Sequence, residues 1–366
     1  MNLFDLGWDD FASKSFHPFC SGDLVPARVA LGHKHACELL SAHGELLAEC
    51  TGRLLHETAS HADLPAVGDW VAVRLRPDEP RAGPASRRRA DIHAVLPRKT
   101  KFSRRAAGDD GGEQLLAANV DTVFLVTALD ANYNLRRIER YLAVAWESGA
   151  QPVVVLNKSD LHPDPAAIRA AVESVAIGAP VVALSAAHDE SVAALAPWLR
   201  PASTIALLGS SGVGKSTLVN RLLGEPRQPT GAVSDAVGKG RHTTTRRELL
   251  VTPSGALVID TPGLRELQFW DVANDSLDST FADIAALAAR CRFGDCAHRS
   301  EPGCAVQAAL EDGSLDADRW QSYQKLQREQ AYAARKADPR LAREHGTAWR
   351  KIHRAQRMQQ RLKSGE

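Results

Sequence analysis

Between residues 27 and 96, hydrophobic and polar positions alternate in short runs broken by turn formers. Residues 27–31, 36–40, 46–50, 52–55, 69–75 and 90–96 each read as a β-strand. Several short strands in so small a stretch predict a barrel, with an oligonucleotide-binding barrel and a purely scaffolding one as the two alternatives. Ahead of it, residues 1–24 form an arm anchored by Leu6, Trp8 and Phe11. The stretch 80–89, rich in proline, arginine and glycine, predicts an exposed loop, and 106–112 predicts a flexible linker. From Asn119 the pattern changes. Apolar runs at 120–128, 152–156, 180–184 and 204–208 alternate with helical periodicity near 135–148, 165–175 and 191–199. Such alternation predicts a parallel sheet with helices on both faces. A helix over 215–223 follows, then a hairpin of 248–252 and 256–260 around Pro253-Ser254-Gly255.

With 366 residues and 44 % hydrophobic content, the chain can bury ordinary cores and suggests about two or three domains. Its longest apolar runs are too short to span a bilayer, and Asp9-Asp10 stands where a signal peptide would be basic. A cytoplasmic protein with no membrane partner is expected. The net charge of +1 hides two basic stretches. One comprises Arg87, Arg88, Arg89, Arg98, Lys99, Lys101, Arg104 and Arg105, and the other runs from Arg335 to Lys363. Each fits either a polyanion contact or a solvated face.

The chemistry lies in five nucleotide-site segments and one cysteine–histidine set. Gly209-Ser210-Ser211-Gly212-Val213-Gly214-Lys215-Ser216, followed by Thr217, leaves an apolar strand and opens a helix. That is the context of a phosphate-binding loop, in which backbone N–H groups surround the β-phosphate, Lys215 reaches the β- and γ-phosphates and Ser216 ligates magnesium. Asn157-Lys158-Ser159-Asp160 ends the strand before it. The Asp160 carboxylate can accept two hydrogen bonds from guanine, which adenine cannot supply, while Asn157 faces the base's other edge and the Lys158 stem covers its face. Ser185 and Ala186 fit the remaining wall of that pocket. Asp260-Thr261-Pro262-Gly263 ends another strand, with Asp260 expected on magnesium and the Gly263 amide at the γ-phosphate.

Leu264 stands where many GTPases carry a glutamine to orient the attacking water, so intrinsic hydrolysis is expected to be slow. Within Gly240-Arg241-His242-Thr243-Thr244-Thr245, Thr244 is expected to close on magnesium. His242 either orients the water or simply packs in a loop. Finally, Cys291, Cys296, His298 and Cys304 form a closed four-ligand zinc set with no position for a catalytic water. Beyond it, Trp320, Tyr323 and Leu326, then Trp349, Ile352, Arg354 and Met358, mark helices that either contact RNA or dock on the metal module.

The guanine tetrapeptide precedes the phosphate loop, the reverse of the usual order. Together with Cys291-Arg-Phe-Gly-Asp-Cys-Ala-His298 and Glu301-Pro-Gly-Cys304, these motifs resemble the circularly permuted, small-subunit-dependent GTPase A family of the RsgA or YjeQ type. The resemblance implies a multidomain α/β fold: an arm (1–24), an OB-fold barrel that binds RNA (25–105), a circularly permuted P-loop GTPase domain (106–283) and a zinc-binding helical module with a basic tail (284–366). It also implies GTP and GDP as ligands, with Mg2+ and one structural Zn2+. The expected partners are the small (30S) ribosomal subunit and its 16S rRNA, bound by a monomer. His242, Lys215 and Thr244 are the implied catalytic residues. The alternative is a GTP-gated RNA clamp in which hydrolysis is incidental.

Overall fold

The computed structural model describes residues 2–20, 22–77, 87–105, 113–131, 133–227, 247–260 and 274–337. The chain divides into two compact units, Met1–Gln268 and Phe269–Glu366.

In the first unit, helix α1 (Asp10–Phe16) is capped by Asp9, whose side chain accepts from the Ala12 N–H at 3.0 Å. Strands β1 (Leu24–Gly32), β2 (Cys37–Ser41), β3 (Gly44–Cys50), helix α2 (Gly52–Glu57), β4 (Trp70–Leu75) and β5 (Arg88–Val95) follow. The strands run β1-β2-β3-β5-β4 and close through β1–β4, with β3 and β5 parallel. This is the five-stranded OB-like barrel. Its interior is apolar, with Val29, Leu39, Leu46, Val71, Val73 and Ile92 excluded from solvent. The strand expected at 52–55 is instead helix α2. Thr51 accepts from the Leu54 N–H at 3.2 Å and so caps a helix that sets Leu54 against the barrel core. Residues 78–86 of the expected loop lie outside the described residues, and Arg88 and Arg89 belong to β5.

Residues 106–112, read as a linker, also lie outside the described residues. On either side of them β6 (Lys101–Arg105) and β7 (Glu113–Ala118) pair antiparallel as a separate two-stranded sheet. Then come β8 (Thr122–Ala128), α3 (Leu135–Ser148), β9 (Gln151–Asn157), α4 (Pro165–Glu173), β10 (Val181–Ala183), α5 (Asp189–Val192), β11 (Thr204–Leu208), α6 (Lys215–Leu223), β12 (Glu248–Val251) and β13 (Leu257–Asp260). The helix expected over 191–199 is shorter. Past Val192 the chain tightens into a 3-10 segment, Ala193–Trp198, that accommodates Pro197.

The sheet order is β10-β9-β8-β11-β13-β12, parallel except for the β12–β13 hairpin. Along β8, Val123 and Leu125 face one core while Phe124, Val126 and Ala128 face the other. Both faces of the sheet are therefore covered, as parallel sheets require. β12 also pairs with β1 at Leu31↔Glu248, so barrel and sheet run on into each other.

At that junction Arg28, only 1 % exposed, donates to the carbonyls of Leu6, Gly68 and Asn119 and to Thr204 Oγ1. Its guanidinium also lies over the Trp70 ring, 5.5 Å from the centroid. Burial pulls its pKa down to about 10, opposed by Asp121 and Asp69, which leaves it cationic at neutral pH. Trp8 of the arm packs edge-on against Trp70 at 4.7 Å. Gly68 is required at this point: its φ is +91°, and a Cβ there would stand 2.1 Å from the Ala118 carbonyl.

The second unit comprises α7 (Asn274–Thr280), α8 (Ala282–Ala288), α9 (Ala305–Glu311) and α10 (Ala317–Ala337) around Phe281, Ile284, Val306, Trp320 and Leu326. Arg319, 5 % exposed, holds Asp283 with two bonds of 2.6 and 2.7 Å and lies over Phe281. No helix among the described residues is long and apolar enough to cross a membrane.

Arg28→Met keeps the side-chain bulk but removes the donor to the Leu6 and Asn119 carbonyls and Thr204 Oγ1, while the Gly68 carbonyl keeps Asn119 Nδ2 as a donor. It should lower stability by about 3 kcal/mol or more. A urea midpoint for the first unit equal to that of the wild type would show that the junction does not depend on this residue.

Candidate functional site

Three of the sequence motifs converge on one side chain. Asn157, at the end of β9 and 2 % exposed, donates through Nδ2 to the Val213 carbonyl at 2.7 Å. Its Oδ1 accepts from the Ala186 N–H at 2.8 Å. One amide thus fastens the tetrapeptide to the phosphate loop on one side and to the Ser185-Ala186 segment on the other. The packing leaves no room for a side chain at two of the loop's glycines. A Cβ on Gly214, whose φ is +96°, would stand 2.2 Å from Asn157 Nδ2, and one on Gly209 would stand 2.2 Å from the Val126 carbonyl.

The loop lies at the carboxyl end of β11, where parallel α/β sheets place ligands, and Lys215 begins α6. The Lys215 ammonium folds back over the loop, donating to the Gly209 and Ser210 carbonyls at 2.6 and 2.5 Å. Ser211 and Gly212 are exposed, whereas Val213 is buried. Lys158 adopts a left-handed backbone at φ 60°, and its Nζ pairs with Asp130 Oδ2 at 2.9 Å. Asp160 is exposed beside it. Ser185 is 4 % exposed, and its N–H donates to Ser191 Oγ at 2.8 Å. Ser216, Thr217 and Asp260 are all half-buried. His242, Thr244, Gly263 and Leu264 lie outside the described residues.

The second unit brings Cys291, Cys296, His298 and Cys304 together, with all four donor atoms within 4.8 Å of one another. Cys291 Sγ and Cys304 Sγ lie 3.5 and 3.4 Å from His298 Nδ1 and 3.9 Å from each other. A tetrahedral ion with metal–sulfur bonds of about 2.3 Å needs sulfur–sulfur edges of about 3.8 Å, so the donor set fits a closed four-coordinate metal site.

The surrounding backbone is organised for it. His298 has φ 55°, a strained value for a histidine, held in part by Gln307 Nε2 donating to the His298 carbonyl at 2.6 Å. The Glu301 carboxylate accepts from the Ala297, Arg299 and Ser300 N–H groups at 2.8 to 3.0 Å, and these backbone bonds hold its pKa down to about 2. Cys304 doubles as the N-cap of α9, its sulfur accepting from the Gln307 N–H at 3.4 Å. Gln307 was not singled out from the sequence, and Glu301 entered only as the first residue of the Glu301-Pro-Gly-Cys304 stretch, with no role of its own.

Comparison with known proteins meets this geometry at several points. The model of the RsgA GTPase family matches residues 95–270. A small ribosomal subunit biogenesis GTPase RsgA of Opitutus terrae is 65 % identical over 362 residues, covering 99 % of each chain. The chain belongs to the RsgA family. A relative of the same name from Syntrophotalea carbinolica is 45 % identical over 370 residues, covering 96 % of this chain and 99 % of the relative. Among solved structures, YjeQ from Thermotoga maritima is 26 % identical and superposes with a TM-score of 0.61 over 84 % of this chain and 98 % of its own. YloQ, described as a circularly permuted GTPase, shares the fold at a TM-score of 0.57. The permuted order of motifs seen in the sequence is thus the order of an RsgA-type fold.

Two charge-based expectations look different on this RsgA-family scaffold. Much of the barrel's basic cluster is paired internally: Arg87 with Glu38 and Glu45, Arg98 with the buried Asp69, Lys99 with Asp9, and Lys101 with Glu113. Of the C-terminal aromatics, Trp320 and Tyr323 stack on each other at 5.6 Å, with Trp320 edge-on to His298 and Tyr323 against Phe281. They serve the metal module, whereas Trp349, Ile352, Arg354 and Met358 lie outside the described residues. The full chain should carry about one equivalent of metal, as a closed four-ligand site does, and lose it in Cys296→Ala. Elemental analysis that finds the same metal content in both proteins would remove the cluster from consideration as a metal site.

Proposed function

We propose that the chain hydrolyses GTP as an assembly factor of the small ribosomal subunit, binding its 16S rRNA and leaving it when hydrolysis occurs. The observation that carries this reading is the Asn157 amide joining the guanine tetrapeptide, the phosphate loop and the Ser185-Ala186 wall into one site. The relatives matched over nearly the whole chain bear the name of small ribosomal subunit biogenesis GTPases.

In this reading Asp160 accepts from guanine N1–H and the exocyclic amine, and the Lys158 stem, oriented by Asp130, covers the base. Asn157 shapes the pocket through the two protein bonds it makes. The loop residues Gly209, Ser210, Ser211, Gly212, Val213, Gly214 and Thr217 surround the phosphates with N–H groups, and the Lys215 ammonium transfers from the loop carbonyls to phosphate oxygens. Ser216 and Asp260, with Thr244, hold Mg2+, which neutralises charge on the phosphates. Gly263 supplies an amide at the γ-phosphate. His242 orients the attacking water, the task that Leu264 cannot perform.

The metal of the Cys3His set is zinc, because three thiolates and an imidazole in tetrahedral array suit it, and its role is structural. Residues 25–105 form the RNA-binding barrel, 106–283 the GTPase domain and 284–366 the zinc module, and the protein acts as a cytoplasmic monomer.

GTP turnover by the full chain should rise with added small ribosomal subunits and saturate. Equal turnover with and without subunits would defeat the assembly-factor reading. Asp160→Asn should weaken GTP binding by at least about 10-fold, the cost of replacing a charged hydrogen-bond acceptor, with an unchanged urea midpoint. Unaltered affinity in a titration would take Asp160 out of the base pocket.

A further inference from the structure

Helix α3 opens with Arg136 and Arg137 and has no acidic residue in its first turn. Cations at this end oppose the helix dipole, so helix stability does not explain the pair. Arg136 is accounted for by Glu139, a fully buried carboxylate 2.7 Å away. Arg137 is directed to a different neighbour. Its Nη1 donates to Ser210 Oγ at 3.4 Å in a part-buried setting, across 73 residues of sequence.

Ser210 is the second residue of the phosphate loop, and its carbonyl is one of the two that hold the Lys215 ammonium. The backbone beneath Arg137 is fixed, because its N–H donates to the capping Asn134 Oδ1 at 3.0 Å. Upstream in the same connection, Asp130 takes the Lys158 ammonium. The connection after β8 and the first turn of α3 therefore touch the base tetrapeptide and the phosphate loop respectively.

The geometry points to Arg137 as a specificity-determining residue of this nucleotide site: by holding Ser210 it positions the first turn of the phosphate loop, and its charge at the loop's edge favours a nucleoside triphosphate over a diphosphate. The inference rests on the reading of the site as a GTP site. Its physical basis is simple. The triphosphate brings one more phosphoryl group and more negative charge, and a partly buried guanidinium is screened less than one in open water. An arginine also supplies planar donors suited to both a hydroxyl and phosphate oxygens.

The test is equilibrium titration of the full chain with fluorescent GDP and with a fluorescent non-hydrolysable GTP analogue. Arg137→Ala should weaken the triphosphate about 10-fold, the size of one lost charge-assisted contact, and the diphosphate by no more than about 2-fold. Arg137→Lys should recover most of the triphosphate affinity. Ser210→Ala should cost less in the Arg137→Ala background than in the wild type, because the contact between the two side chains is then already lost. Equal losses for both nucleotides, or fully additive effects of the two substitutions, would overturn the inference. Wild-type protein that binds guanine nucleotides normally, beside an Arg137→Ala variant indistinguishable from it, would sink the role of Arg137 alone. Folded wild-type protein that binds neither nucleotide would sink the GTP site and this inference with it.

Discussion

Arg28 carries a full charge into a position almost closed to solvent, and it is tolerated there because acceptors from four parts of the first unit converge on it. They are the arm at Leu6, the barrel turn at Gly68, the junction at Asn119 and the sheet edge at Thr204. An unpaired guanidinium at this depth would cost several kcal/mol, so any arrangement that separates the arm, barrel and sheet is penalised. The same point fixes where the phosphate loop stands. Thr204 begins β11 and β11 ends at Leu208, directly before Gly209. The strand that carries the loop is thus pinned at its far end to the barrel, and the apolar cluster from Leu6 through Trp70 to Leu208 and Ile259 fills the space between.

The second unit solves a different problem by different means. It has few apolar residues to bury, and its loop from Cys291 to Cys304 lacks regular structure. What orders that loop is local: four metal-type donors, the Glu301 carboxylate gathering three N–H groups, and Cys304 serving as both donor and helix cap. Small modules of this kind gain from a metal the free energy that a larger core would otherwise supply. The stacked Trp320 and Tyr323 then close one side of the cluster.

Local rules made much of this fold legible. The helix at 135–148, the strand at 204–208 and the loop from Gly209 follow from periodicity, glycine placement and the strand-to-helix context of the motif. The four metal-type donors follow from cysteine spacing. What escaped were features set by distant partners or by single caps. Arg28 finds acceptors 22, 40, 91 and 176 residues away, and no window on the sequence contains them. The segment 52–55 looked like a strand because its residues suit either state; the Thr51 hydroxyl decides for helix. The cluster around Arg98 fitted either a polyanion contact or a solvated face because charge alone does not reveal that Asp69, buried behind it, takes that guanidinium with bonds of 2.7 and 2.8 Å.

The permuted order acquires a mechanical meaning from the seam between barrel and sheet. The segment 228–246, which contains the expected first switch, leaves the described structure at Arg227 and returns at Arg247. Both ends are held near the barrel side of the first unit. Arg227 lies 3.8 Å from Glu248, Glu248 pairs with Leu31 of β1, and the Arg247 guanidinium donates to the Leu115 carbonyl of β7 at 3.2 Å. The second switch motif instead begins at Asp260, the last residue of β13, and its chain runs on into the second unit. In an unpermuted order the chain would pass from the second switch motif to the base-binding half of the same domain, because the tetrapeptide would follow the phosphate loop instead of preceding it. Here the chain re-enters after the first switch segment at β12, which pairs with barrel strand β1, and after the second switch motif it runs on into the unit that carries the metal-type cluster, so a single nucleotide site has a hydrogen-bonded route to the barrel and a covalent one to the second unit.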